Sequence, residues 1–196
     1  MCILRIGRVL AFVPLMALAA CATPPSHINN VCAVFDQRDG WFDNWSQVAN
    51  GVQRKYGVPV HVLMATIRQE SGFKGDAKPP VKWVFGIIPW GRVSSADGFS
   101  QALDGTWKQY QRETGNFMAS RGSFADAADF IGWYYAKSSQ RFGIPLTDTY
   151  HLYLTYYLGP NAYERGDWRS NSAAQTYARR TADRADTYAA QLQGCS

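Results

Sequence analysis

"VHVLMATIRQESGF", residues 60–73, carries an apolar helical pattern onto a glutamate. Val60, Leu63, Met64 and Ile67 recur at i, i+3, i+4 and i+7, the spacing of one helix face turned toward a core. One further turn brings that face to Glu70 and Ser71, and Gly72 is the residue type that ends helices in a left-handed cap. Two effects then act on Glu70 in the same direction. Burial disfavours the charged carboxylate, and the negative end of the helix dipole disfavours it again. Between Glu70 and the Gly72 cap no lysine or arginine follows to restore ionisation. A carboxyl kept protonated near neutral pH can give its proton to a leaving-group oxygen, which makes Glu70 a candidate general acid. Periodicity alone leaves a second reading, a glutamate turned into solvent at a frayed helix end.

The flanking sequence extends the helical pattern. Trp41, Trp45, Val48, Val52 and Tyr56 predict a helix over 42–56 that stops at Gly57, and Pro59 suits the first turn of the helix ending at Ser71. "LDGTWKQYQRETG" (103–115) predicts a third helix. Ser123, with Asp126 three residues on, resembles a capping box that opens a long helix to Phe142. "TDTYHLYLTYYLGP" (147–160) predicts a shorter helix, capped at Thr147 or Asp148 and broken by Gly159 and Pro160. The last helix starts at Asn171 or Ser172, giving a mainly α fold of about six helices. One segment departs from this pattern. "KPPVKWVFGIIPWGRV" (78–93) sets β-formers around Gly86 behind two prolines, and predicts a short β-hairpin or flap. It carries Trp83, Phe85 and Trp90. Aromatic faces stack on sugar rings, so Trp90 is a candidate substrate-binding residue on a lip. A flap packed against the domain is the other reading.

A chain of 196 residues with 46% hydrophobic content can bury one sizeable core. Its first twenty residues have a different character. Arg5 and Arg8 precede an apolar run from Val9 to Ala20, and "LAAC" closes it at 18–21. This predicts a secretory signal over 1–20, too short to span a membrane. A cysteine directly after small residues resembles the bacterial lipobox, which would make Cys21 the lipidated first residue of a lipoprotein. An ordinary signal with a chance cysteine is the alternative. Ala22 stands where an aspartate would signal inner-membrane retention. The expected address is therefore the outer membrane of a Gram-negative bacterium, facing the periplasm. A polar tether over 21–31 would then lead into a domain over 32–196. Cys2 leaves with the signal, so Cys32 and Cys195 are expected to pair in an oxidising compartment. The formal charge is +5, and the leader carries Arg5 and Arg8 away with it. The mild excess that remains fits attraction to an anionic wall polymer. Phosphate loops, metal-ligand spacings and basic stripes for nucleic acid do not occur in the sequence.

Three short motifs add a resemblance. "ESGF" at 70–73, "GFSQ" at 98–101 and "YYLGP" at 156–160 occur in the order and approximate spacing of the soluble lytic transglycosylases. These are peptidoglycan-cleaving relatives of goose-type lysozyme. "DFIGWYY" (129–135) is similar to a further helix of that family and "YARR" (177–180) to its closing helix, so the resemblance covers about residues 45–190. Two departures stand out: Ser100 replaces a usual methionine, and Tyr157 a usual asparagine. The resemblance implies a lysozyme-like helical domain acting on glycan strands of peptidoglycan, with no metal or cofactor. It makes Glu70 the catalytic acid and then base. Ser71 would orient substrate or the glutamate, Gln101 would bind substrate, and Tyr156 would hold the Glu70 carboxyl. The family forms a 1,6-anhydro ring on N-acetylmuramic acid as it cuts the β-1,4 bond to N-acetylglucosamine. Two other outcomes stay open. A hydrolytic muramidase would need an acid such as Asp97 to activate water, and an inactive glycan-binding lipoprotein would need no acid at all.

Overall fold

A computed structural model of the chain describes residues 25–36, 38–39, 43–84 and 88–195, by backbone alone at 38–39, 43, 82–84 and 88–90. The helix predicted from the opening stretch, α3, spans Val60–Ser71. It lies at the centre of the domain, packed against α2 (Trp45–Tyr56), α5 (Phe124–Phe142) and α8 (Ser172–Leu192). Val62 to Ile67 are all buried, so the helix is enclosed on almost every side and only its last turn approaches the surface. Pro59 sits at the N-cap instead of inside the first turn. The amide of Val60 finds its acceptor on α2, at Gln53 Oε1 2.9 Å away. That bond satisfies an otherwise orphaned helix N–H and ties α2 to α3.

The other long helices follow their stripes and caps. α2 begins three residues later than the apolar pattern predicts, because the Asn44 side chain accepts from the amides of Ser46 and Gln47. Trp41 and Phe42 lie outside the described residues. α4 runs Asp104–Thr114, and α5 is capped by Ser123, whose hydroxyl accepts from the Asp126 amide. The Asp126 carboxylate accepts from Ser120 and Asn116, so the reciprocal half of the expected capping box does not form. α6 spans Thr149–Leu158 behind an Asp148 cap, and α8 starts after Asn171. The described residues hold eight α-helices where about six were expected. The additional two are α1 (Val31–Phe35) and α7 (Pro160–Glu164), five residues each and too short to show a full apolar period. Pro160 therefore opens a helix as well as ending one.

Aromatic packing joins the layers. Trp45 of α2 stacks on Phe124 of α5 at 4.2 Å, and Phe99 meets both rings edge-on. Such ring pairs add roughly 0.5–1.5 kcal/mol each beyond burial. Gly132 lets α5 close on α2, since a Cβ there would lie 2.6 Å from Val52 and from Tyr56. Beside it the Asp129 carboxylate accepts from Lys55, Tyr56 and Tyr110, linking α2, α4 and α5. The segment at 78–93 is the expected hairpin. β3 (Val81–Val84) pairs antiparallel with β4 (Ile88–Arg92), with an irregularity between Val81 and Trp83. A second two-stranded pair joins β1 (Arg38–Asp39) to β2 (Asp43–Asn44). Phe85 and the side chains of Trp83 and Trp90 lie outside the described residues.

The expected tether needs correction over 25–31. Pro25 is buried, and Ile28 packs on the core. The Val31 amide donates to Gln191 Oε1 at 2.8 Å, and Gln191 donates back to the Asn29 carbonyl. Packing of Ile28 on the core and hydrogen bonds with the Gln191 and Tyr188 side chains of α8 thus hold this stretch down, despite its polar composition. Cys32 of α1 and Cys195, just past α8, form the expected disulfide, with Cα atoms 5.5 Å apart and a sequence separation of 163. Closing so long a loop stabilises the fold by roughly 4–5 kcal/mol in the chain-entropy treatment. Replacing Cys195 by serine should therefore lower the melting temperature by on the order of 10 °C. Calorimetry of the two proteins without reductant checks this, and identical melting would contradict it.

Candidate active site

Glu70 occupies the last turn of α3, where the helix emerges from the core. The end is fixed on both sides. Gly72 takes the left-handed conformation at φ 60°, and its amide bonds the Arg68 carbonyl. Phe73 comes next, also at positive φ, with its ring buried and 6.0 Å from Trp45. A buried ring immediately after the cap prevents the helix end from fraying, which removes the solvent-turned alternative for Glu70. The side chain keeps partial solvent access, yet protein atoms crowd its carboxyl. Burial is the leading cause that pushes its pKa up to about 7. The phenol of Tyr153, on α6, donates to Glu70 Oε1 at 2.7 Å and pulls the value the other way. Arg68 shares the last turn of α3 but reaches toward Asn29 instead.

Tyr153 replaces Tyr156 in the role expected for the latter. Tyr156 lies one helical turn further along the same face of α6, and its phenol donates to the Ser100 carbonyl at 2.5 Å. The two rings lie 6.4 Å apart and nearly parallel. Burial first, and then the Glu70 charge, push both hydroxyls above their ordinary pKa, so both stay protonated donors. The i, i+3 spacing of Tyr153 and Tyr156 was visible in the sequence; which of them meets the carboxyl depends on how α6 is rotated against α3.

The turn at 98–101 is built tightly beside this pair. Gly98 has φ 71°, and a Cβ there would lie 2.0 Å from the Arg121 carbonyl oxygen, so no other residue fits. The Gln101 amide nitrogen donates to the carbonyls of Ala77 and Gly98, at 2.9 and 2.8 Å. Its backbone is at φ 49°. Phe73 and Gln101 are the two non-glycine residues with positive φ among the described residues, one in each of the first two motifs. Gln101 thus closes its own turn and pins it to the irregular segment that leaves α3. The Ser71 hydroxyl donates back to the Ile67 carbonyl at 3.2 Å. Ser100 is fully buried, and its hydroxyl has no partner among the described residues. Asp97 forms a backbone bridge to Ala102 across the turn. Tyr157 is 44% exposed, with its ring 5.4 Å from Tyr177 of α8.

A cavity of about 610 Å³ opens between α4, α5 and the C-terminal end of α6. Trp133, Phe130 and Tyr134 form an aromatic wall, and Gln101, Gln109 and Lys137 supply polar groups. Glu70 does not line this cavity. Tyr156 connects the two, because it lines the cavity and stacks on the tyrosine that holds the carboxyl. Apolar rings with a few polar groups suit a sugar, whose ring faces are apolar and whose rim is hydroxylated. Among the described residues, no cluster of His, Cys, Asp and Glu could hold a metal ion. No described helix is long and apolar enough to cross a membrane.

A search among curated proteins returns no match. The family model for the transglycosylase SLT domain matches residues 9–195, a span that includes all the motifs gathered around Glu70. The chain belongs to that family, whose members act on peptidoglycan.

Proposed function

We propose that this chain is a lytic transglycosylase that cleaves the β-1,4 bond between N-acetylmuramic acid and N-acetylglucosamine. The observation that carries the reading is the Glu70 carboxyl, raised to about 7 and held at 2.7 Å by the Tyr153 phenol. A group at that pKa is present in both protonation states near neutral pH, as a proton donor and acceptor in one cycle must be. In the first step Glu70 gives its proton to the glycosidic oxygen. The bond from that oxygen to the muramyl C1 breaks, and the N-acetylglucosamine end leaves as an alcohol. The carbonyl oxygen of the substrate's N-acetyl group supports the electron-poor C1. In the second step the Glu70 carboxylate takes the proton of the muramyl 6-hydroxyl. That oxygen attacks C1, closes the 1,6-anhydro ring and restores the protonated glutamate.

Tyr153 positions the carboxyl through both steps. It donates more strongly to the carboxylate than to the acid, which steadies the state between the steps. Tyr156 and Gln101 shape the turn at the cavity mouth, and sugar rings of the strand stack along the aromatic wall. Trp90, on β4, would add a lip on the hairpin side. Ser71 acts through the helix end and not as a direct ligand.

Replacing Glu70 by glutamine preserves shape and removes the proton. Digestion of purified sacculi should fall by about 10² to 10⁴ in rate, with the fold intact by circular dichroism. Mass analysis of the wild-type products should show anhydro-muropeptides. Reducing ends in their place would make the chain a muramidase, and intact sacculi a binding protein without catalysis. A glutamine variant that keeps more than about a tenth of the activity would remove Glu70 from the mechanism.

The envelope address belongs to the same proposal. Cys21, which lies outside the described residues, would be lipidated and would anchor the domain to the outer membrane, facing the wall polymer. Cys21→Ala should shift the protein from the membrane fraction to the soluble one after a salt wash. Retention with the membranes under that wash would exclude the lipid anchor.

A further inference from the structure

A second concave surface lies on the flank of α3 and α8 away from the aromatic cavity. It encloses about 480 Å³, and its charge is one-sided. Arg68, Arg180 and Arg184 face it, against a single carboxylate, Asp183. No ion pair among the described residues uses any of these four groups. The Nε of Arg68 is buried without a hydrogen-bond partner, although an unpaired buried donor is costly in a finished fold. Arg180 and Arg184 are propped over the rings of Tyr177 and Tyr188, at 6.0 and 5.7 Å, so their forks are held in place and not spent on acidic neighbours. Three guanidiniums, a polar lining and one orphaned donor match an anionic ligand that takes bidentate hydrogen bonds.

A continuous path leads from Glu70 to this groove. Tyr153, which holds Glu70, lies 6.3 Å from Tyr157; Tyr157 lies 5.4 Å from Tyr177; and Arg180 covers Tyr177. Tyr157 and Tyr177 are 44% and 36% exposed, which makes them a shelf open to solvent. Gln69, beside Glu70 in sequence, lines the groove at its α3 edge. Tyr157, the residue that departs from the family motif, therefore forms the join between the reacting carboxyl and the arginines.

We infer that the α3–α8 groove binds the carboxylates of peptide stems carried by the glycan strand. This rests on the proposed action on peptidoglycan, whose muramyl sugars bear short peptides with free carboxylates. With a muramyl residue at Glu70, its stem crosses the Tyr157–Tyr177 shelf, and its acidic groups meet Arg180, Arg184 and Arg68. Carboxylate recognition at this distance selects strands with intact stems over stripped ones.

The test needs no turnover. A free stem peptide without sugar is titrated into the wild-type chain by calorimetry, and the same peptide with its carboxyls amidated is titrated in parallel. Binding of the acidic peptide, at least about tenfold tighter than the amidated one, is the expected result. Arg180→Gln/Arg184→Gln should weaken the acidic peptide by on the order of tenfold or more, with unchanged melting. Equal binding of the two peptides, or full affinity in the double variant, would overturn the assignment. So would inorganic phosphate that displaces the peptide at equal concentration, since the groove would then accept any small anion. Neither peptide has a glycosidic bond, so this result is independent of whether Glu70 cleaves glycan. Failure here leaves the Glu70 assignment standing, and failure there leaves this measurement readable.

Discussion

A carboxyl that must both give and take a proton near neutral pH needs burial to raise its pKa and a fixed donor to hold its charged form. At Glu70 the surrounding packing supplies the first, and the Tyr153 phenol, 2.7 Å away, supplies the second. Each depends on a different part of the chain. Burial comes from α3, enclosed by α2, α5 and α8 until its last turn. The donor comes from α6, set against α5 and α8. α8 packs on both α3 and α6, so it fixes the distance between the glutamate and its tyrosine. The disulfide from α1 to the end of α8 secures that same helix.

The face of α6 that reaches Glu70 also orders the second motif. Tyr156 takes the Ser100 carbonyl, while Gln101 spends its amide on closing the turn and on Ala77. Positive φ at Phe73 and Gln101 costs on the order of 1–3 kcal/mol each. Side-chain contacts hold both in that conformation: the Phe73 ring is buried against Trp45, and the Gln101 side chain has two backbone acceptors. Strain of this kind persists where packing over-determines the backbone. Here it brackets the inserted hairpin, with one strained residue on each side, beside the turn that carries Glu70.

Much of this was legible in local sequence. The stripe from Val60 to Ile67 located α3, Gly72 located its end, and Gly57 and Gly115 cap their helices in the left-handed conformation. Prolines and β-formers at 78–93 gave the hairpin. Three features were not legible, for one physical reason. The partner of Glu70 is Tyr153 and not Tyr156, residues 28–31 are tied to α8, and Gln101 turns inward to its own turn. Each is decided by contacts between segments far apart in sequence. Periodicity reports which face of a helix is buried, but not its rotation against a particular neighbour. Polar composition at 25–31 likewise says nothing of the Gln191 side chain waiting on α8. The short helices α1 and α7 escaped because five residues do not complete an amphipathic repeat.

Acid and base roles for one carboxyl require Glu70 to change protonation near neutral pH. A direct titration reads this: carbon-13 labelled glutamate side chains are followed by NMR from acid to alkaline pH, with Glu70→Gln used to assign the resonance. The protein has few glutamates, so the signal is resolvable by difference. One carboxyl should titrate with a midpoint near 7 and be absent from the variant. A Glu70 that titrates in the ordinary carboxylate range, about 4.3, would contradict it.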